Sequence, residues 1–172
     1  MRVHSVNRRV RLSNFKDMCA AFVTHQDRIH AYFRTMHNQA RAFRDGYAKA
    51  IQAPTDQYEG DNGWAEYVRL LSIQDNEFGD ASPRLFREMD ADQIVWFGLA
   101  VTVERNRATT PKRVYTERVG LKWLANAVEV HLPEIDAVIV VPRDGEVADY
   151  ADAYAAITKA IMDDLAFDPL AT

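Results

Sequence analysis

The sequence predicts an α+β fold: an antiparallel or mixed sheet of about four strands, packed by a long N-terminal helix and a C-terminal helix. Three observations carry that expectation. A heptad rhythm fills the first third of the chain, β-forming runs fill the middle, and an alanine-rich amphipathic segment closes it. Helices segregated from strands, rather than alternating with them, separate α+β from α/β folds.

Phe15, Cys19, Phe22, Gln26, Ile29, Phe33, Met36, Ala40, Phe43, Tyr47 and Ala50 follow alternating spacings of four and three, the pattern of a helix with one buried stripe. Ser13 or Asn14 suits the N-cap, since either side chain can accept a bond from an unpaired amide of the first turn. Gly46 costs roughly 1 kcal/mol relative to Ala in a helix, and Asp45-Gly46 marks where the helix can end or kink. A helix over Asn14 to Ile51 would be about 57 Å long, whereas a compact domain of this size is about 40 Å across. It must bend, break, project or be covered by another chain. Ahead of it, Arg2 to Leu12 mixes valines with arginines and reads as a short edge strand or a basic arm.

Residues 53–63 read as a polar linker with turn chemistry. Trp64 to Gln74 is β-forming. The acidic stretch Asp75 to Asp80 reads as a loop, and Ser82-Pro83 as the opening of a short helix through Met89. Gln93 to Val103 is a nearly continuous apolar run, expected as a central strand covered on both faces. Glu104 to Arg113 is a basic loop. Val114 to Leu124 alternates as a third strand antiparallel to the second, with a helix over Gly120 to His131 as the alternative. Asp136 to Pro142 reads as a buried strand closed by the turn Arg143-Asp144-Gly145. A helix from about Glu146 to Leu165 buries Tyr150, Tyr154, Ile157, Ile161 and Leu165. Asp163 and Asp164 oppose the dipole at its C-terminus, which predicts a cation beside them.

The expected organisation is a single domain over residues 1–172. It comprises a basic arm and helix (1–51), the linker (53–63) and an acidic body (64–172). An apolar fraction of 48% with 27% charged residues belongs to a folded protein rather than a disordered one. The single cysteine, Cys19, excludes an intrachain disulfide and a zinc site of several thiolates, and it suits a reducing compartment. The N-terminus meets no apolar segment of the secretory kind. The longest apolar stretch, Ile94 to Val103, is about half of what a membrane helix needs. The expectation is a cytoplasmic protein without membrane contact.

The net charge of −4 conceals a split: residues 1–51 balance to +7, the remainder to −11. The basic helix can lie across its own acidic body, or one half can serve a charged partner.

No motif specifies catalysis, and no cofactor or metal is expected. His30 and His37 share a helix face but stand about 10.5 Å apart along the axis, too far for one ion to bridge alone. Asp75, Glu77 and Asp80 cluster in sequence as hard-cation ligands would, yet without EF-hand spacing. Cys19 falls on the apolar stripe, where cysteine behaves as a small hydrophobe. Nucleophile elbows and phosphate-binding glycine loops are missing.

Non-enzymatic binding or inhibition of another macromolecule is therefore the leading expectation, in the manner of small immunity or regulatory proteins. Contact would run through His30, Arg34, His37, Arg41 and Arg44 on the helix, and through Asp75, Glu77 and Asp80. The positions flanking the stripe carry no carboxylate. That disfavours simple self-pairing and favours a protein partner with an acidic surface over a homo-oligomer. The alternative is a nucleic-acid accessory protein using the basic arm and helix, although the low pI opposes it. A hydrolase built on carboxylates or a metal is third.

Overall fold

The computed structural model describes residues 14–60, 63–81, 85–86, 89–106, 112–145 and 147–167. Helix α1 spans Phe15–Ala50 and is capped by Asn14. Its Oδ1 accepts the Asp17 N–H at 3.0 Å while Asp17 Oδ2 accepts the Asn14 N–H at 3.2 Å, a capping box with Asp in place of Glu. Gly46 does not end the helix. A Cβ at that position would stand 2.2 Å from the Tyr154 hydroxyl, so the glycine permits a close approach. The end falls at Gln52, whose φ is 55°. There Ala53 N–H reaches the Ala48 carbonyl at 2.9 Å and Gln52 N–H reaches that of Lys49 at 3.1 Å. This is a Schellman motif with glutamine where glycine is usual, and Pro54 follows it.

The chain forms two compact units, Met1–Arg34 and Thr35–Thr172. In the first, the described part is the cap and the opening turns of α1. Phe15, Met18, Cys19, Phe22 and Val23 are exposed there. The arm expected over Arg2 to Leu12 lies outside the described residues.

The second unit holds residues 35–50 of α1, two sheets and a closing helix. Strands β1 (Tyr58–Gly60) and β2 (Gly63–Ala65) pair as a small hairpin that begins in the segment expected to be a linker and ends in the β-forming run from Trp64. The main sheet comprises β3 (Val68–Gln74), β4 (Glu77–Asp80), β5 (Val95–Val103), β6 (Arg113–Trp123), β7 (Ala127–Leu132), β8 (Ala137–Asp144) and the two-residue β9 (Val147–Ala148). Their order is β4-β3-β5-β6-β7-β8-β9, and every pairing is antiparallel. Helix α2 is Ala151–Leu165. The fold is α+β, with more strands than the expected four.

Alternation along the strands gives the sheet two unlike faces. Val95, Phe97, Leu99 and Val101 of β5, Val119 and Leu121 of β6, and Val128, Val130 and Leu132 of β7 are buried on the inner face. Residues 35–50 of α1 and helix α2 cover it. The Phe43 ring meets Phe97, Tyr150 and Tyr154 at centroid distances of 6.0, 5.0 and 5.1 Å. The buried Tyr150 hydroxyl donates to Gln39 Oε1 at 2.7 Å, so this polar residue, buried beside the stripe, is satisfied.

Several expectations are corrected. Asp75 to Asp80 is not a loop: Asp75 and Asn76, with φ of 52° and 64°, turn the chain into β4 as a type I′ hairpin. The helix expected from Ser82 to Met89 falls largely outside the described residues, and Leu85, Phe86 and Met89 are not helical. The helical alternative for Gly120 to His131 gives way to β6, a turn and β7. Arg143 holds that turn by donating to the Leu124 and Ala125 carbonyls while stacking 4.0 Å from the Trp123 ring centre. Strand β8 is not buried on both faces, since Val138 and Val140 are exposed. The C-terminal helix starts later than expected because Val147–Ala148 pairs with β8 first, and Leu165 is exposed rather than buried. The expected cations are present: Arg113 meets Asp164 at 2.7 Å, and Lys159 pairs with Asp163 one helical turn away.

Candidate functional site

The outer face of the sheet offers the most developed cavity. Trp96, Gly98 and Ala100 of β5 look outward, opposite Gly120, Arg118 and Thr116 of β6. Two glycines make room for rings. A Cβ at Gly120 would stand 2.7 Å from the Trp96 ring, and one at Gly98 would stand 2.6 Å from Phe78. Trp96 is thus seated on bare backbone, edge-on to His131 at 6.1 Å.

Asp90 fixes the indole from the other side. Its Oδ2 accepts Trp96 Nε1–H at 2.8 Å, while Oδ1 accepts the backbone N–H groups of Ile94 and Asp92 at 2.8 and 2.9 Å. Burial works to raise the Asp90 pKa. The three donors, with His131 nearby, outweigh it and hold the carboxyl below its ordinary range.

Beside this platform lies a cavity of about 730 Å³, with Ile73, Leu85, Met89, Trp96 and Arg118 among its walls. That volume suits a small-molecule site. Arg118 Nη1 donates to Asn76 Oδ1 at 3.3 Å, its guanidinium stands 5.9 Å from the Phe78 ring centre, and its buried Nε has no hydrogen-bond partner. A second cavity of about 550 Å³ lies between the β1–β2 hairpin and the main sheet, with Tyr58, Trp64, Arg69 and Lys112 on its walls.

The residues nominated from sequence do not form one constellation. In the first unit, His30 and Arg34 are exposed on α1. In the second, His37 stands edge-on to Phe86 at 6.3 Å, and burial together with Arg41 pushes its pKa down. Arg41 is exposed. Arg44 is held by Asp45 at 2.6 Å and Glu66 at 2.7 Å, a pairing that engages its charge within the fold. Asp75 lines the first cavity and Asp80 the second, while Glu77 is exposed on β4. Among the described residues no three of His, Cys, Asp and Glu gather as a metal site, and no helix is long and apolar enough to cross a membrane.

Sequence reading missed Trp96 and Arg118. The available signal was alternation: Trp96 and Gly98 occupy outward positions in a run otherwise read as uniformly buried. Comparison of the chain with protein-family models, with curated proteins and with solved structures finds no match, so functional inference rests on these residues.

Proposed function

We propose that the protein is a cytoplasmic, non-enzymatic binding protein of the immunity or regulatory kind, which engages another protein through α1. One observation carries the reading. Phe15 and Phe22 share one stripe of the helix within residues 15–34, Met18 borders it, and Phe15, Phe22 and Met18 are 77%, 62% and 56% exposed. Contiguous exposed apolar side chains of this size mark interaction surfaces, and an amphipathic helix face is a recurring recognition element. Covering each side chain fully contributes about 1.5–3 kcal/mol. The positions flanking the stripe are Lys16, Val23 and His30 on one side and Met18, His25 and Tyr32 on the other. With a cation and no carboxylate among them, they favour a partner that presents acidic groups around an apolar groove.

Cys19, exposed on the stripe and the only cysteine in the chain, supplies the test. A photo-crosslinker attached there, applied in extract of the native host, is expected to join the protein to one foreign chain. Phe22→Asp should abolish the adduct without lowering the urea midpoint of unfolding. An adduct of two copies would replace the foreign partner with a homo-oligomer. A nucleic-acid adduct, or equal labelling by Phe22→Asp, would overturn the reading.

A further inference from the structure

Arg118 is a half-buried cation on the outer face of the sheet. Among the described residues no carboxylate pairs with it, its Nε is buried and unpartnered, and its one hydrogen bond goes to a neutral amide at 3.3 Å. A buried donor such as this Nε is almost always satisfied. The orphan group also stands at the wall of the largest cavity described, next to an indole held in place before any ligand arrives.

We propose that this cavity binds a small organic monocarboxylate with a flat apolar body. The guanidinium fork matches a carboxylate in geometry and supplies charge-assisted bonds. Ile73, Leu85 and Met89 offer apolar contact, and the Trp96 ring gives a rigid surface against which a planar group packs. Because Asp90 already anchors that ring, little ordering remains to be done on binding. The lining also decides against highly charged anions. Asp75 and Asp90 both border the cavity, and two carboxylates beside one guanidinium repel a phosphate dianion or a nucleotide more than a singly charged acid. The site lies wholly within the second unit and is independent of the helix stripe.

The full chain, ¹⁵N-labelled, reports on this directly, because its three tryptophans give three indole N–H signals and Trp96→Phe identifies one of them. The probes are 1-naphthoate, its neutral amide and inorganic phosphate. Naphthoate should shift the Trp96 signal saturably at sub-millimolar concentration, with the other two indoles moving less. Arg118→Gln should weaken it at least about tenfold, and the neutral amide should bind wild type as weakly as naphthoate binds that variant. Arg118→Lys, which keeps the charge but loses the fork, should fall between them and serves if the glutamine variant does not fold. A Trp96 shift that never saturates, equal binding of acid and amide, or displacement of naphthoate by stoichiometric phosphate would each overturn the proposal.

Discussion

One heptad stripe runs the length of α1, and its two stretches meet opposite surroundings. From Met36 through Ala40, Phe43 and Tyr47 the stripe is fully buried, whereas Phe15, Cys19 and Phe22 occupy equivalent heptad positions in solvent. Periodicity therefore states which face of a helix is apolar, and not what covers it. Covering depends on residues distant in sequence. For the second stretch these are Phe97, Tyr150 and Tyr154, whose rings enclose Phe43.

The largest expected effect comes from truncating equivalent stripe positions. Phe43→Ala removes a fully buried ring from between the sheet and α2 and should cost about 3–5 kcal/mol. Phe22→Ala should stay within about 0.5 kcal/mol, as surface changes usually do. Urea unfolding of the two variants measures the contrast directly. Comparable losses would mean that the first stretch is also packed in solution, and the binding role proposed for it would fail.

The same contrast explains what was legible in the sequence. The helix stripe, the β5 run and the alternating β6 declare themselves through local periodicity, and all three form close to where that periodicity placed them. Hairpins without glycine did not. Asp75-Asn76 adopts left-handed φ at both positions, which short polar side chains tolerate, so an acidic stretch that reads as a loop is a turn entering a strand. Strand β8 failed differently. Ala-Val-Ile-Val-Val is apolar throughout, but only Ala137, Ile139 and Val141 share the inner face with Leu132, Val130 and Val128. Composition cannot tell a two-sided strand from a one-sided one. The candidate cavity was hidden for a further reason: Trp96 and Arg118 come together only through sheet register, and Asp90 reaches the indole from the turn ahead of β5.

A smaller effect, confined to the covered stretch and α2, concerns pH. Burial raises the Tyr47, Tyr150 and Tyr154 pKa values, helped for Tyr154 by Asp149 and Asp45, which leave it at about 12. Unfolded tyrosines ionise near 10. Above that pH the unfolded chain gives up protons that the folded chain keeps, so it binds fewer, and stability falls as pH rises. The stabilisation is intact below pH 10 and lost progressively toward pH 12, with a ceiling of about 1.4 kcal/mol per pH unit for each tyrosine. The urea midpoint should be flat from pH 8 to 9.5 and fall above 10, less steeply in Tyr154→Phe. A flat midpoint to pH 11 would mean that these hydroxyls reach water in the folded protein.

The smallest effect belongs to the opening turn of α1. Asn14→Ala removes the side-chain acceptor of the Asp17 amide, and a lost cap of this kind costs about 1 kcal/mol. In the covered stretch such a loss would add to that of the core. At Asn14 the neighbouring turns are exposed, so they can fray without disturbing the sheet and need not unfold together with it. Amide exchange over residues 17–20 should therefore accelerate about fivefold, the factor that 1 kcal/mol represents, while the urea midpoint stays put. Asp17→Ala leaves the Asn14 acceptor in place and removes only the reciprocal bond to the Asn14 amide, so its acceleration should be smaller. A midpoint that dropped with Asn14→Ala would show the first turns of α1 to be coupled to the core.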